Sequence, residues 1–433
     1  MILDNCTLEL EAVPPSPVSE TGQQLESPPT EHNGQSPRLS WPVEQNVLRR
    51  MWQNIGCPPV QFVLWDGEAV GPQTHVGRIV IRQPRVLWQL GLQPSLAFGE
   101  AYSRGDLDID GDLVTVLETL NHGLAQRRPH SISSRLWRSL QTRLRSHSVK
   151  ASKAAVYHHY DLGNDFYRLW LDEQLVYTCA YYPHADMTLE EAQSAKLDYV
   201  CRKLRLQPGE TVAEAGCGWG ALALHMARKY GVKVQAFNLS REQLAYARER
   251  AQTEGLSNRV EFIEDDYRSV KGQFDAFVSV GMLEHVGRGN LPELGRVMDR
   301  VLTPNGRGLV HSIGRDAPAP IDPWTDKYIF PGAYPPSLCE MLNLFEVNGF
   351  SVLDVENLRP HYAQTCKAWL SRFEAAADQV ATMFDEHFVR LWRLYLAASA
   401  AAFLSGDLQL FQVVFSRPTN NTVPWTRADW YGQ

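Results

Sequence analysis

The chain has 433 residues, of which 44% are apolar and 21% charged, so it can bury the cores of two or three soluble domains. Its formal net charge of −7 lacks the basic excess of a nucleic-acid-binding protein. Seven scattered cysteines without a C-x-x-C pair argue against a metal site and indicate reduced thiols. Because no signal peptide and no run of 18 apolar residues are visible, we expect a cytoplasmic protein without a membrane-spanning helix.

The first part of the chain predicts a disordered segment followed by a small domain. Residues 1–40 are rich in Pro, Ser, Glu and Gln, so they bury too little apolar surface to offset chain entropy, and we expect disorder. Residues 41–125 form a predicted small mixed domain, with strands over 60–65 and 78–81 and a helix over 113–120. No pattern of catalytic residues is visible in this domain.

A basic segment, predicted as a linker over residues 126–155, follows that domain. Residues 119–160 contain no Asp or Glu, but they carry Arg127, Arg128, Arg135, Arg138, Arg143, Arg145, Lys150 and Lys153. Apolar residues recur every four positions from Ile132 to Leu144, which predicts an amphipathic helix of the kind that lies on an anionic bilayer. Each basic residue near such a surface contributes about 1 kcal/mol to binding. A solvated linker helix that packs on its own domain is the alternative interpretation.

Residues 156–417 predict an α/β catalytic domain, which a C-terminal tail over 418–433 follows. Seven strand candidates lie at residues 211–215, 232–237, 260–263, 276–280, 308–313, 351–356 and 410–415. Helical runs separate the earlier strands, which predicts a mainly parallel sheet covered by helices on both faces. The helix after the second strand should begin at a capping box of Ser240 and Gln243 and end at Gly255.

Residues 211–220 carry the most informative motif, a short strand that runs into Gly216, Gly218 and Gly220. Residues 221–230 predict a helix directly after this turn. Glycines let a backbone approach a ligand closely, and a helix N-terminus offers free N–H groups. The motif therefore favours a nucleoside-bearing cofactor, although tight packing alone can also explain such glycines.

The loops after the other strands carry polar side chains at the edge of the sheet where α/β proteins bind ligands. Asn238 follows the second strand and can bond a ribose hydroxyl, and Asp266 with Tyr267 follows the third and suits an adenine. Glu284 and His311 follow strands four and five. This layout fits a class I methyltransferase with a Rossmann-like seven-stranded sheet better than a dehydrogenase. A surface acid and a satisfied core histidine are the alternative interpretations of the last two residues.

Eight sequence segments, spread along the chain, extend this pattern. They are His159–Tyr167, Tyr177–Tyr181, Glu190–Lys196, Ala215–Gly220, Gly281–Gly287, His311–Gly314, Lys327–Pro331 and Gln409–Phe415. Together they resemble the cyclopropane-fatty-acyl-phospholipid synthases and their relatives, the mycolic acid cyclopropane synthases. The resemblance runs from about residue 150 to 417, and a weaker similarity to the family's N-terminal domain covers about 45–125.

The resemblance implies a methyl transfer to carbon. The methyl carbon of S-adenosylmethionine would be added to the double bond of an unsaturated acyl chain in a membrane phospholipid, giving a cyclopropane fatty acyl group. A bound bicarbonate would act as the base. The residues that match its site are Cys179, Glu284, His311, Ile313 and Tyr362. A methyl- or methylene-branched product, a small-molecule methyltransferase and a non-catalytic lipid-binding protein are the alternatives, and Cys179 taken alone could be ordinary packing.

The resemblance also implies the cofactor contacts. The matching positions are Tyr177 and Thr178 over the methionine end, Gly216 and Gly218 at its backbone, Asn238, Ser240 and Gln243 near the ribose, and Asp266 and Tyr267 near the adenine. Ser399 stands where many relatives carry Cys, which argues against a catalytic thiol there. The N-terminal domain would associate with lipid, and the protein would contact the inner face of the membrane peripherally. A homodimer is compatible with this resemblance; nucleic acid and metal are not expected.

Overall fold

The computed structural model describes residues 39–126 and 162–431. Nearly all of the predicted disordered segment 1–40 and of the predicted linker 126–155 lies outside the described residues. The described residues belong to the compact unit that spans residues 38–433. Within these two ranges, no helix combines the length and the apolar character that crossing a membrane requires.

The N-terminal domain consists of a four-stranded sheet and four helices among the described residues. Its elements are α1 (Pro42–Asn54), β1 (Gln61–Val63), β2 (Ala69–Val70), β3 (Gly77–Ile81), α2 (Pro84–Leu92), α3 (Pro94–Arg104), β4 (Leu107–Gly111) and α4 (Leu113–Gln126). The strand order is β2-β1-β3-β4, with β1 and β3 parallel and both outer pairs antiparallel. The two predicted strands and the predicted helix are found as β1, β3 and α4.

The larger, α/β domain is built around a seven-stranded sheet. Its elements are α5 (Asn164–Arg168), α6 (Leu189–Leu204), β5 (Thr211–Ala215), α7 (Ala221–Tyr230), β6 (Lys233–Asn238), α8 (Arg241–Thr253), β7 (Val260–Glu264), β8 (Phe274–Val280), α9 (Leu283–Val286), α10 (Leu291–Val301), β9 (Leu302–Gly314), α11 (Pro323–Tyr328), α12 (Leu338–Glu346), β10 (Ser351–Asn357), α13 (Arg359–Ala375), α14 (Ala377–Met383), α15 (Glu386–Ser405), β11 (Gln409–Ser416) and α16 (Ala428–Tyr431). All seven predicted strands are present.

The strand order of this sheet is β10-β11-β9-β8-β5-β6-β7. Strands β5 to β9 pair in parallel, whereas β11 lies antiparallel to both β9 and β10. One face of the sheet packs its apolar side chains against α6, α7 and α8, and the other packs them against α10 and α12. The prediction of a mainly parallel sheet with helices on both faces is confirmed.

The N-terminal domain packs on the α/β domain through α15, which contacts both α3 and α4. Arg390 on α15 donates to the carbonyls of Tyr102 (2.6 Å) and Leu107 (3.1 Å) and to the carboxylate of Asp108 (2.7 Å). On α3, Gly99 meets the ring of Trp324 so closely that a Cβ at position 99 would lie 2.3 Å from a ring carbon. The two domains therefore share one buried interface.

Replacement of Gly99 by Ala is expected to destabilise the protein by about 1–3 kcal/mol, because the new methyl group overpacks the contact with Trp324. Gly91→Ala is the matched control, since Gly91 also lies in a helix but a Cβ there meets no atom within 4 Å. The control should be neutral or stabilise by about 0.5–1 kcal/mol. Thermal unfolding of both variants measures the difference, and equal midpoints would contradict this account of the interface.

Candidate active site

A cleft of about 1110 Å³, including its open mouth, lies at the carboxyl ends of β5, β6, β7 and β8. This is the edge where ligands bind in open α/β sheets. Of the predicted cofactor residues, the cleft is lined by Tyr177, Thr178, Gly216, Gly218, Asn238, Gln243, Asp266 and Tyr267. Ser240 does not line it; its hydroxyl instead accepts the backbone N–H of Gln243 at the start of α8 (3.4 Å).

The three glycines of the turn after β5 differ in what surrounds them. All have positive φ, with values of +83° at Gly216, +52° at Gly218 and +82° at Gly220. A Cβ at Gly216 would lie 2.9 Å from Met282, and one at Gly220 would lie 2.7 Å from Phe262. At Gly218, no protein atom lies within 4 Å of that position. Tight packing therefore explains two of the glycines, whereas Gly218 faces open space in the cleft and leaves room for a ligand.

The predicted capping box at α8 is only half correct. Ser240 caps the helix, but the side-chain Oε1 of Gln243 accepts a hydrogen bond from Asn238 Nδ2 at 2.8 Å. Asn238 Nδ2 also reaches the carbonyl of Gly218 at 3.1 Å, and Asn238 Oδ1 accepts the N–H of Leu239. The amide of Asn238 thus competes for the Gln243 side chain. The buried Nε2 of Gln243 keeps no partner among the described residues. This N–H group can therefore donate a hydrogen bond to a ligand in the cleft.

At the β7 end of the cleft, Asp266 and Tyr267 have different surroundings. The Asp266 carboxylate accepts hydrogen bonds from the backbone and the guanidinium of Arg268, at 3.0 and 2.7 Å. The hydroxyl of Tyr267 is buried and has no partner in the described part of the chain. Burial raises the pKa of Tyr267 to about 12, so this hydroxyl stays protonated and can donate.

The opposite end of the cleft holds two buried charged residues that the sequence analysis did not assign. Lys196 Nζ donates to Thr178 Oγ1 at 2.9 Å, and Glu214 keeps a buried, unpartnered carboxylate oxygen among the residues that the structure describes. Burial lowers the pKa of Lys196 to about 8 and raises that of Glu214 to about 8. A signal was present in the sequence, since Glu214 interrupts an otherwise apolar strand and Lys196 lies in one of the matching segments.

Contacts connect four of the five predicted anion-site residues, and the fifth, His311, lies two residues before Ile313 on β9. Glu284 Oε1 accepts the backbone N–H of Ile313 at 2.6 Å. Cys179, Ile313 and Tyr362 pack in one apolar cluster, and burial raises the pKa of the Tyr362 hydroxyl well above its usual value. None of the five lines the cofactor cleft itself, but Cys179 follows Thr178 and Glu284 precedes His285, both of which do.

Glu284 and His311 both keep an unpartnered polar atom here. Glu284 is 6% exposed and His311 is 1% exposed; among the described residues, Glu284 Oε2 and His311 Nε2 have no hydrogen-bond partner. Burial raises the pKa of Glu284 to about 7 and lowers that of His311 well below its usual value. The interpretation of Glu284 as a surface acid is therefore wrong, whereas His311 is a core histidine whose Nδ1 contacts Gln412 and whose Nε2 has no partner among the described residues. Buried, unpartnered polar atoms of this kind fit a small hydrogen-bonding ligand.

Cys179 fits both of its interpretations. Its side chain is fully buried, and the thiol donates to the carbonyl of Ala180 at 3.1 Å. Burial raises the pKa of this thiol, so it is not a thiolate. The residue can therefore contribute to an anion site only through its backbone or by lining the site with an uncharged side chain.

Aromatic rings surround the region next to the cleft. Tyr177 lies at 5.2–5.3 Å, between ring centroids, from Trp170 and Trp369. Its hydroxyl contacts the hydroxyl of Tyr395 at 2.7 Å. Tyr362 stacks on Phe403 at 4.5 Å. The sequence did not predict this cluster, because its rings come from the segment between α5 and α6 and from the distant helices α13 and α15.

Comparison with known proteins extends these observations. The family model for mycolic acid cyclopropane synthetase matches residues 147–413. The chain belongs to this cyclopropane synthetase family. A second model, described only as a domain of unknown function, matches residues 47–125. The family match covers six strands of the seven-stranded sheet, the first part of β11 and every predicted site residue.

The cyclopropane synthetase family includes relatives that match most of this chain. A probable fatty acid methyltransferase of Pseudomonas putida is 36% identical over 86% of this chain and 96% of its own length. The cyclopropane-fatty-acyl-phospholipid synthase of Escherichia coli K12 is 40% identical over 79% of this chain and 88% of its own length. Among solved structures, the mycolic acid cyclopropane synthase CmaA1, complexed with SAH and CTAB, superposes with a TM-score of 0.59 at 31% identity. It covers 64% of this chain and all of its own. The fold is that of the S-adenosylmethionine-dependent methyltransferases.

Proposed function

We propose that this protein transfers the methyl carbon of S-adenosylmethionine to the double bond of an unsaturated acyl chain in a phospholipid and produces a cyclopropane fatty acyl group. The observation that carries the proposal is the pair of buried, unpartnered polar atoms on Glu284 and His311. Both residues adjoin the cofactor cleft through the backbone, since Glu284 precedes His285 and the His311 carbonyl accepts the N–H of Gly281, and both His285 and Gly281 line the cleft. An acyl double bond needs an apolar environment for binding and a buried base for proton removal.

Each end of the cofactor cleft carries side chains that match a different part of S-adenosylmethionine. Lys196 can donate to the carboxylate of the cofactor's amino acid end, and Glu214 can accept from its ammonium group, whose positive charge would favour the ionised form of the Glu214 carboxyl group. Gln243 Nε2 can donate to a ribose hydroxyl, and the ring and hydroxyl of Tyr267 suit the adenine. We assign Asn238 a positioning role, since both of its polar side-chain atoms already hold the surrounding backbone and Gln243.

Bicarbonate is the base that we propose for the anion site, and when bound it would supply a basic oxygen next to the substrate. Glu284 Oε2 can accept the proton of its hydroxyl group, and His311 Nε2 and the Tyr362 hydroxyl can donate to its other oxygens. The N–H of Ile313 is already engaged by Glu284. Ile313 therefore acts by fixing the Glu284 carboxylate, with Oε2 left open.

A branched acyl product is the second candidate. One relative of the chain, at 36% identity, is named a probable fatty acid methyltransferase. Methyl transfer leaves a carbocation on the neighbouring carbon of the acyl chain, and a 1,2-hydride shift followed by loss of a proton from the new methyl group would leave a methylene branch instead of a ring. A small-molecule methyltransferase would need a polar acceptor pocket, whereas the rings around Tyr177 and Tyr362 are apolar. A non-catalytic lipid-binding protein would have no need for the open Gly218 position or the unpartnered atoms of the site.

Incubation with methyl-labelled S-adenosylmethionine and vesicles of unsaturated phospholipid tests the proposal. We expect the label in the acyl chains released by saponification, with the mass of each modified chain increased by one methylene group. Proton NMR separates the products, because cyclopropane ring protons resonate upfield of ordinary chain methylenes and a methylene branch shows alkene protons. Label in the head group, or no label in lipid, would contradict the proposal.

We also propose peripheral contact with an anionic bilayer through the basic segment 126–155. Replacement of Arg135, Arg138, Arg143 and Arg145 by Glu should weaken co-sedimentation with anionic vesicles, since each basic residue contributes about 1 kcal/mol at such a surface. Sedimentation with neutral vesicles should not change. The control carries the same charge change at four exposed positions elsewhere, Arg50, Arg78, Lys233 and Lys271. Equal losses in both variants would show that net charge, not this segment, governs binding.

We also propose that the protein forms a homodimer, which sedimentation velocity tests by measuring the mass of the particle in solution.

A further inference from the structure

A row of polar side chains crosses the sheet from the half-buried Glu356 to the buried Gln412 and His311. Strands β10, β11 and β9 are neighbours, and their register places Glu356 opposite Gln412 and Gln412 opposite His311. Lys203 of α6 lies over this row and donates to Gln412 Oε1 at 2.9 Å and to the Glu356 carboxylate. Gln412 Nε2 in turn lies 2.9 Å from His311 Nδ1.

The surroundings of Lys203 favour its charged form, although burial lowers its pKa. The carboxylate of Glu356 bonds its Nζ, and that of Asp354 lies 3.9 Å away. The rings of Tyr199 and Trp430 flank the Nζ atom at 4.5 and 5.7 Å from their centroids. The hydroxyl of Tyr199 also donates to Glu356 at 2.7 Å, which holds that carboxylate in place.

The chemistry of these groups determines the direction of every hydrogen bond in the row. A lysine ammonium group only donates, so the amide end of Gln412 that faces Lys203 must be the oxygen. The other end is then the NH₂ group, which donates to His311 Nδ1. A neutral imidazole that accepts at Nδ1 carries its proton on Nε2. Burial lowers the pKa of His311 and keeps the ring neutral.

We propose that Lys203 and Gln412 are positioning residues that hold His311 as its Nε2–H tautomer, so that His311 donates into the anion site. Nε2 is the buried ring atom without a partner among the described residues. With the proton on Nδ1, the ring would present a lone pair to an anion and repel it. The identity of the anion rests on the proposed function, but the tautomer depends only on the row from Glu356 to His311.

The first test reads the tautomer in the unmodified full-length chain. Long-range ¹H–¹⁵N NMR spectra of protein labelled with ¹⁵N-histidine distinguish the two neutral tautomers, and the signal missing from the spectrum of His311→Asn assigns the ring. We expect a protonated Nε2 and an unprotonated Nδ1. A protonated Nδ1 in the unmodified protein would overturn the inference.

The second test removes the donor to Nδ1. Gln412→Leu should give a mixture of both tautomers and raise the KM for bicarbonate at least tenfold in a bicarbonate-depleted assay, while SAH affinity stays unchanged. Gln409→Leu is the matched control, because Gln409 is a buried glutamine of the same strand that bonds Asn357 and the carbonyl of Gly406, not His311. A single Nε2–H tautomer in Gln412→Leu would overturn the positioning role.

The two tests separate this inference from the proposed function. If the tautomer is Nε2–H and depends on Gln412, but bicarbonate has no effect on turnover, the inference stands and the proposed anion is wrong. If bicarbonate is required and the tautomer is Nδ1–H, the proposed function stands and the inference is wrong.

Discussion

Glu284→Gln is expected to reduce turnover at least tenfold, and by up to the 10²–10⁴-fold that a positioned base typically contributes. Glu284 Oε1 holds the N–H of Ile313 at 2.6 Å, while the buried Oε2 is left without a partner in the described part of the chain. A glutamine has the same shape and can keep the bond to Ile313 with its oxygen. Its NH₂ group then stands where Oε2 was, and that group cannot accept a proton.

The measurement compares turnover with cofactor affinity. Isothermal titration should give the same SAH affinity for Glu284→Gln and the unmodified protein, because Glu284 does not line the cofactor cleft. Glu261→Gln, at an exposed position of β7, is the control for the loss of one carboxylate. Unchanged turnover of Glu284→Gln would refute the proton-accepting role and, with it, the bicarbonate proposal.

The pH dependence of the same variant adds a second readout. Burial raises the pKa of Glu284 to about 7, so the carboxylate that accepts a proton forms only as the pH rises through about 7. At constant bicarbonate concentration, we expect turnover of the unmodified protein to increase over this range. Glu284→Gln should lose that dependence, since the variant has no group at this position that titrates.

Gly218→Ala should weaken SAH binding at least tenfold. Gly218 lines the cleft with φ at +52°, and no protein atom lies within 4 Å of the position that a Cβ would take. The added methyl group therefore projects into space that only a ligand can fill. The left-handed backbone also costs an alanine about 1–2 kcal/mol, so part of the effect on the protein is a loss of stability and not of affinity.

Gly209→Ala separates these two contributions. Gly209 has φ at +89°, has no atom within 4 Å of a Cβ, and lies in the turn before β5, where its N–H bonds the carbonyl of Gly231. It does not line the cleft. The control should lose a similar amount of stability and keep its SAH affinity. If both variants bind SAH as tightly as the unmodified protein, the cofactor does not approach the backbone at Gly218.

Much of the catalytic domain could be predicted because its signals are local. Each buried strand is a short apolar run, and in a parallel sheet the loops after successive strands meet at one edge. Asn238, Asp266 and Glu284 could therefore be placed near Gly218 from their positions after strands. The capping box failed for a local reason as well, since the amide of Asn238 competes for the side chain of Gln243.

The remaining features depend on contacts between residues that are far apart in the sequence. The row that orients His311 exists only because β11 inserts between β9 and β10, which places Gln412 beside a residue 101 positions earlier. A parallel continuation of the sheet would give a different register. The contact of Lys196 with Thr178 and the aromatic cluster around Tyr177 likewise join elements whose order in space cannot be read from periodicity.

The insertion of β11 has a consequence for how the protein is made. A nascent chain that has left the ribosome only as far as β10 already contains the glycine turn and all the strands that border the cofactor cleft. His311 still lacks the neighbour that fixes its proton, and the sheet has a gap between β9 and β10. The strand that completes the interior of the sheet is therefore among the last parts of the chain to be synthesised, so the contact between Gln412 and His311 forms only when almost the whole chain is available.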